Sequence, residues 1–201
     1  MSAPDDPNPY GIAGWAENDK YLFLYDRYDI WRVDMEGQKV PINATRNYGR
    51  KNFLQFRVQK LDREEEFIDT SKPVFVHAFD ERNKSEGYFN ADLRNYTDPR
   101  LLLMEDYKFT GLAKAKSAET FIWTRENVSA SPDLWTGNLL FERRHQLSNT
   151  NLQQKQFVWP GVRLVHWNSF SGKPLEGLLY FPETIDQEKQ YPMIVYFYER
   201  N

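Results

Sequence analysis

Short runs of aromatic and β-branched residues, each bounded by charged or turn-forming residues, recur along this chain and predict β-strands. Two clear examples are residues 21–25 and 29–34, followed by a predicted turn at 35–38. Further strands are predicted at 67–68, 73–79, 120–124, 134–141, 163–170, 175–181 and 192–198. An arguably helical pattern occurs only at 101–107 and 110–118, and neither segment has a convincing capping residue. The pattern therefore predicts a mainly β protein.

A weak internal repeat accompanies these strands. Its three units begin with the segments FLYD, FIDT and FIWT, whose first residues are 44 and 54 positions apart. Asp29-Ile30-Trp31 in the first unit recurs as Asp133-Leu134-Trp135 in the third, and Val74-Phe75-Val76 takes the same position in the second. Such spacing is close to the roughly 40–50 residues of a β-propeller blade. About three blades of a propeller are one interpretation, and a β-sandwich is the alternative.

The composition changes near residues 147–157, which are polar and rich in amide side chains. This segment is the best candidate for a domain boundary, and we expect one domain at 1–152 and a second at 153–201. The second domain begins with strands separated by predicted turns at 171–174 and 182–190. The continuous apolar run Met193–Tyr198 is typical of a central strand that is covered on both faces, as in an α/β sheet.

The second segment resembles a known family of enzymes. Residues 167–182 read WNSFSGKPLEGLLYFP, and residues 191–198 read YPMIVYFY. This order of strand, glycine turn, strand ending in proline, Tyr-Pro and apolar strand resembles the beginning of the catalytic domain in the prolyl oligopeptidase family of serine peptidases. The resemblance implies the last blades of a β-propeller (1–152), followed by the first strands of an α/β-hydrolase domain (153–201). We expect the chain to be part of a longer peptidase whose propeller limits access to short peptides.

The catalytic residues implied by this resemblance are mostly missing from the chain. An α/β-hydrolase places its serine in a G-x-S-x-G elbow, and no two of the ten glycines have that spacing. In this fold the catalytic serine comes first along the chain, followed by the aspartate and then the histidine. The resemblance therefore implies that the whole triad lies beyond residue 201 and that this chain is non-catalytic. The resemblance also implies that Tyr198 donates its hydroxyl to the oxyanion hole. Glu199 and Arg200 depart from the small residues that follow this tyrosine in many relatives, and a strand-end aromatic is the alternative for Tyr198.

Composition and residue spacing argue against several other classes of function. The net charge of −3 argues against a general nucleic-acid binder, and the absence of cysteine excludes disulfides and thiolate metal sites. His77, His145 and His166 lack a recognisable ligand spacing, so we expect no metal and no cofactor. No apolar run approaches the roughly 20 residues of a membrane helix, and we expect no membrane partner. Periplasm and cytoplasm of a bacterium both remain open.

Two charged segments could contact a ligand. Residues 63–66 read REEE and could bind a substrate amine in a peptidase pore, although a solvated loop is the commoner reason for such a run. Residues 26–29 read DRYD and favour a turn in which the arginine pairs with a neighbouring aspartate.

A different class of function remains open. The six Trp, twelve Tyr and fourteen Phe could partly form the contact surface of a self-contained β-rich module that binds peptide or carbohydrate. If the chain is instead part of a propeller, its unpaired edges predict self-association. In that case a peptide substrate of the parent enzyme is its expected partner.

Overall fold

The computed structural model describes residues 8–62, 64–186 and 188–197. The chain divides into two compact units after Thr150. The first unit contains three antiparallel sheets of four strands each, and the second contains one hairpin. The protein is therefore mainly β, as the sequence pattern predicts.

The three sheets of the first unit follow one another along the chain. The first sheet contains β1 (Ile12–Trp15), β2 (Tyr21–Tyr25), β3 (Ile30–Asp34) and β4 (Ile42–Asn43). The second contains β5 (Leu54–Val58), β6 (Val74–Asp80), β7 (Glu86–Ala91) and β8 (Arg100–Glu105). The third contains β9 (Lys108–Lys114), β10 (Thr120–Asn127), β11 (Ala130–Asn138) and β12 (His145–Gln146). In each sheet the neighbouring strands are consecutive in sequence, so every sheet is a simple meander.

Short helices lie between some of these strands. The helix α1 (Tyr48–Asn52) joins the first sheet to the second, and a 3-10 turn at Glu17–Asp19 joins β1 to β2. No helix in the described ranges is long and apolar enough to cross a membrane.

The second sheet packs on both of its faces within the first unit. Val76 and Phe89 contribute to a core that also contains Phe23 and Ile30 of the first sheet. Phe75, which is next to Val76 on β6, belongs instead to a second core with residues of the third sheet. Successive side chains of a strand point to opposite faces, so one apolar run supplies both cores. This explains why apolar residues occupy the consecutive positions 74–76 of β6.

The second core is almost entirely aromatic. Tyr88 and Phe141 stack with ring centroids 5.3 Å apart, and Trp123 meets Phe141 edge to face at 5.0 Å. Phe121 and Trp123 are 0% and 1% exposed, and both lie on β10 of the third sheet. Offset and edge-to-face pairs of this kind each contribute about 0.5–1.5 kcal/mol beyond the burial of area.

The predicted repeat is correct for the first and third units and wrong for the second. Phe23 and Phe121 lie on the second strands of their sheets, and Trp31 and Trp135 lie on the third strands. Residues 67–70 form no strand, because only Ile68 joins a neighbour through an isolated bridge to Ala16. Consequently 74–76, which fall on β6, occupy the second strand of their sheet rather than the third.

The two segments with a helical pattern are also strands. Residues 101–107 and 110–118 largely coincide with β8 and β9, which belong to different sheets. Their apolar side chains serve the second core, in which Leu103 is 7% exposed and Phe109 is 6% exposed. Burial against aromatic neighbours decides the conformation here, since local propensity is weak in both segments.

The second unit begins with a 3-10 turn at Leu152–Gln156 and continues with β13 (Gly161–Asn168) and β14 (Pro174–Phe181), which pair as an antiparallel hairpin. The predicted turn at 171–174 is present: the Ser169 N–H donates to the Lys173 carbonyl at 2.7 Å. Gly172 has φ +77°, a conformation that glycine adopts without strain. The identity of this unit as the start of a hydrolase domain stays a prediction.

The predicted buried strand at the end of the chain is wrong for the residues that are described. Met193–Phe197 form no strand, and Ile194 is 97% exposed. A β-strand needs a neighbouring strand for its ladder of hydrogen bonds. None of the described strands pairs with this segment.

Candidate functional site

The first unit has a cleft at the end of the second and third sheets. Its volume is about 680 Å³, which lies in the range of sites for small ligands. The lining comes from the end of β5, the 59–73 connection to β6, the connection between β9 and β10, and residues 139–140 that follow β11. These segments share one end of the two sheets because each meander reverses there.

The floor of the cleft is apolar. Phe75 and Phe121 belong to the second core and lie at its base, with ring centroids 5.2 Å apart. Val58, Leu61 and Leu139 add aliphatic surface that is only partly buried. The two rings are 7% and 0% exposed, so a ligand in the cleft would contact mainly these partly buried aliphatic side chains and not the rings.

One wall of the cleft is the 59–73 connection, which carries most of the charge. Lys72 Nζ lies 3.4 Å from both Glu65 Oε1 and Asp69 Oδ2. Hydrogen bonds from the Ser71 side chain and backbone lower the pKa of Asp69. Burial alone would lower the pKa of Lys72, but the two carboxylates outweigh burial and raise it. Two further carboxylates of this wall, Asp62 and Glu64, form no ion pair with any described residue.

The opposite wall lies between β9 and β10 and is basic. Lys114 Nζ lies 3.4 Å from Glu119 Oε1 and donates to the carbonyl of Ala115 at 3.3 Å. Lys116 lines the cleft, is exposed, and has no acidic partner in the described part of the chain. The cleft therefore has an apolar floor, an excess of negative charge on one side and a basic group on the other.

An aromatic side chain stands at the rim. Phe67 lines the cleft and is 42% exposed. The neighbouring Ile68 is buried, and its N–H donates to the Trp15 carbonyl at 2.6 Å. This bond ties the connection to the first sheet, so Phe67 is held next to the cleft.

A second polar cluster lies at the opposite end of the first two sheets, around the predicted turn at 26–29. Asp26 Oδ1 accepts hydrogen bonds from the N–H groups of Tyr28 and Asp29, which confirms the turn. The predicted partner of the arginine is wrong. Arg27 pairs with Glu81, and Asp26 pairs with Arg50 at 2.7 Å. The partners are 54 and 24 residues away, which no local pattern could indicate.

Asp29 in this cluster is fully buried, and its carboxylate stabilises the local backbone. It accepts hydrogen bonds from Thr45 Oγ1 at 2.7 Å and from the N–H groups of Gly49 and Arg50. These two N–H groups belong to the first turn of α1, where backbone donors lack helical partners. The cluster is fully engaged in holding α1 and the turn, so the cleft is the better candidate for ligand binding.

The residues singled out from the sequence are scattered. Tyr198 and Arg63 lie outside the described residues. His77 lies 3.4 Å from Glu86, and His145 and His166 lie on β12 and β13. In the described ranges no three His, Asp or Glu side chains form a group that could hold a metal ion.

Only one part of the cleft can be recognised in the sequence. The acidic run at 63–66 indicated a possible contact with a ligand, and its Glu64 and Glu65 line the cleft, but Phe67, Lys116 and the apolar side chains carry no such signal. These groups come from connections that are distant in sequence, and only the packing of two sheets brings them together.

Comparison with known proteins gives structural neighbours only. No protein-family model and no curated protein matches the chain. A serine-to-alanine variant of AtxE2 isopeptidase with Astexin3-dC4 bound aligns with a TM-score of 0.54 and 13% identity over 98% of this chain. The same isopeptidase in its apo form aligns with a TM-score of 0.51 and 13% identity over 94% of this chain. The chain spans only 29% and 27% of those two neighbours. The likeness shows that the chain has a fold similar to the aligned part of that isopeptidase.

Proposed function

We propose that this chain is a non-catalytic part of a serine peptidase of the prolyl oligopeptidase family. The observation that carries the proposal is the fold likeness to an isopeptidase over 98% of the chain. The sequence of the β13–β14 hairpin and the Tyr-Pro segment that follows it independently resembles that family. In the parent enzyme a serine, an aspartate and a histidine from other segments cleave peptide bonds by acyl transfer.

The three sheets then contribute to substrate access rather than to bond cleavage. A cleft of about 680 Å³ accepts a short, extended segment but not a folded domain. Selection by size follows from this geometry. The charged walls would favour particular ends or side chains of the peptide.

Tyr198 is the one residue of the chain that we assign to the chemistry of the parent. A phenol hydroxyl about 3 Å from the developing oxyanion contributes roughly 3 kcal/mol to the transition state. We expect Tyr198→Phe in the parent to lower kcat by about 100-fold with little change in KM, because such a donor acts mainly on the transition state.

Labelling with a fluorophosphonate probe tests the proposal. The chain lacks a G-x-S-x-G elbow, so it should not react with the probe, whereas the natural polypeptide that contains these residues and the triad should react at one serine. Boiled protein serves as the control for non-specific labelling. Labelling of the 201-residue chain, or an unreactive parent, would contradict the proposal.

The second candidate function is a self-contained β-rich module that binds peptide or carbohydrate. The cleft favours this alternative because its walls and floor come entirely from the first unit. The two candidates differ in their behaviour in solution. A self-contained module should be a monodisperse monomer with a single cooperative unfolding transition, whereas a part of a propeller should self-associate through its unpaired surfaces.

A further inference from the structure

Arg32 on β3 is a half-buried arginine whose charge is not balanced by a carboxylate. Its partner on β2 is Phe23, which is 0% exposed, so Arg32 lies on the face that packs against the second sheet. Arg27 and Arg50 hold carboxylate oxygens at 2.8 and 2.7 Å, whereas Arg32 forms no ion pair or hydrogen bond with any described residue. A cation that is partly removed from water is costly without a partner, so an anion from outside the described residues would stabilise it.

Two tyrosine rings hold the guanidinium group of Arg32. Its Cζ lies 4.2 Å from the ring centroid of Tyr21 and 4.8 Å from that of Tyr96. Contacts of this kind use the flat face of a guanidinium group, whereas its N–H groups donate in the plane, at the edge. The edge of Arg32 is therefore open to an acceptor, and its fork of donors matches the oxygens of a phosphate or a carboxylate.

Tyr96 adds a hydroxyl donor next to this group. Its Oη is buried and has no hydrogen-bond partner among the described residues. Burial raises the pKa of Tyr96, so the phenol keeps its proton at neutral pH and can donate. The Tyr96 N–H donates to the Asp92 carbonyl at 3.1 Å, and φ is +54°, which is rare for a bulky residue. The turn after β7 therefore fixes this ring beside Arg32.

Lys20 brings a second positive charge. Its Nζ lies 5.6 Å from the centroid of the Tyr21 ring, which also contacts Arg32. Lys20 is exposed and forms no ion pair with a described residue, and Asp34, at the end of β3, instead accepts the N–H of Gln38 at 2.9 Å. Two cations and a hydroxyl donor suit an anion with two charges and several oxygens. A phosphate group has both, and a carboxylate has neither.

We propose that Arg32, Lys20 and the hydroxyl of Tyr96 form a binding site for a phosphate group. The edge of Arg32 and the hydroxyl of Tyr96 donate to its oxygens, and Lys20 attracts it from the solvent side. The site lies between the first sheet and the turn after β7, and none of its three residues lines the cleft. It goes beyond the proposed function, because a phosphate group can bind here whether or not the parent cleaves peptide bonds.

An NMR titration of the 201-residue chain with inorganic phosphate tests the proposal. Sodium chloride keeps the ionic strength constant, because salt screens exposed charges. We expect saturable shifts of the Arg32 Nε–H signal and of the backbone amides of Tyr21 and Tyr96, and about tenfold weaker binding of acetate. Methyl phosphate separates the two sources of the group: its binding extends the site to monoesters, and its exclusion restricts the site to the free ion. Absence of saturable shifts at these residues, or equal binding of acetate, would overturn the proposal.

Substitutions assign the site to its residues. Arg32→Gln should weaken phosphate binding about tenfold or more, and Tyr96→Phe, which removes only the hydroxyl, about threefold. Arg163→Gln is the matched control, because Arg163 also lies over an aromatic ring, that of Phe181 at 5.7 Å, and has no ion pair among the described residues. Equal affinities of the Arg32 and Arg163 variants would overturn the assignment.

Urea denaturation gives a second measurement that includes any effect of the substitutions on folding. Binding to the folded chain raises the free energy of unfolding in phosphate relative to chloride at equal ionic strength. Phosphate also stabilises proteins in general, so the Arg32→Gln variant supplies the baseline. The natural chain and Arg163→Gln should show an extra stabilisation above this baseline. The same stabilisation in all three proteins would overturn the proposal, whatever the result of fluorophosphonate labelling.

Discussion

Arg27 and Glu81 form a bidentate ion pair, with Nε donating to Oε1 at 2.8 Å and Nη2 to Oε2 at 3.0 Å, although they are 54 residues apart. Arg27 lies in the turn between β2 and β3 of the first sheet, and Glu81 directly follows β6 of the second. The pair therefore joins two sheets at the end opposite the cleft. Glu81 also accepts a hydrogen bond from the Tyr28 hydroxyl at 2.8 Å.

Replacement of Glu81 by glutamine should destabilise the first unit. Glutamine keeps the size of the side chain but loses the charge that faces Arg27, and it places an amide donor opposite other donors. The Glu81 side chain is only 15% exposed, so we expect a loss of about 1–2 kcal/mol in the free energy of unfolding. Urea denaturation followed by tryptophan fluorescence measures this loss.

The matched control for that variant is Glu17→Gln. Glu17 lies exposed in the 3-10 turn between β1 and β2. Its replacement should change the free energy of unfolding by less than about 0.5 kcal/mol. Equal effects of the two substitutions would show that the Arg27–Glu81 pair contributes nothing specific.

The same end of the sheets should make stability depend on acidic pH. Burial alone would raise the pKa values of Asp26 and Glu81, but hydrogen bonds from backbone and side chains outweigh burial and lower both. A carboxyl group whose pKa is lower in the folded state stabilises the protein above its unfolded pKa, near 4. That contribution is lost as the pH falls through the folded pKa, so the free energy of unfolding should decrease below about pH 4.

Urea denaturation at pH 7, 5 and 3 checks this dependence in the natural chain and in the double variant Asp26→Asn, Glu81→Gln. The difference in unfolding free energy between the two proteins should be largest at pH 7 and should shrink toward pH 3. A difference that stays constant over this range would mean that the two carboxylates are not the titrating groups.

Some strands of the fold can be predicted from the sequence, and others cannot. The recurrence of Trp31 and Trp135 correctly predicted equivalent strands in two sheets, because an aromatic residue after a turn is a local signal. β5 and β7 were not predicted. β7 reads EGYFNA, and its apolar and polar residues do not alternate with the two-residue period that predicts a strand. Tyr88 and Phe89 are nevertheless both buried, because they point to opposite faces of the sheet and each face is covered by a core.

The residues of the cleft can likewise be predicted only in part from the sequence. Leu61, Lys116 and Leu139 line it from connections of different strands, and each is unremarkable in its own segment. The acidic run before Phe67 was visible because its charge is local. The basic wall and the apolar floor depend on how the second and third sheets stack, and that information is not contained in any window of the sequence.

Close approach of two strands makes Gly87 irreplaceable in the second sheet. A Cβ atom added at Gly87 of β7 would lie 1.9 Å from the carbonyl oxygen of Leu103 on β8. The obstacle is backbone, which can move only by disrupting the pairing of the two strands. Gly87→Ala should therefore cost about 3 kcal/mol or more, or prevent folding of the first unit.

Gly37 provides the comparison for this substitution. It lies between β3 and β4 with φ +69°, and no atom lies within 4 Å of the added Cβ. Gly37→Ala should cost only about 1–2 kcal/mol, from the backbone conformation alone. Thermal unfolding of both variants measures the difference, and a Gly87→Ala protein as stable as Gly37→Ala would show that β7 and β8 are less closely paired.

The outer face of the third sheet should drive self-association of the chain. Ile122 on β10 and Leu134 on β11 are 43% and 38% exposed, and they lie on the face opposite the buried Phe121 and Trp123. Ile122→Thr keeps β-branching but removes apolar surface, so it should weaken association without loss of the strand. Sedimentation velocity over a hundredfold concentration range should show less oligomer for this variant than for the natural chain.

Leu152→Thr, at a side chain 61% exposed in the second unit, is the matched control and should associate like the natural chain. A natural chain that stays monomeric over this range would contradict the prediction and favour the self-contained binding module.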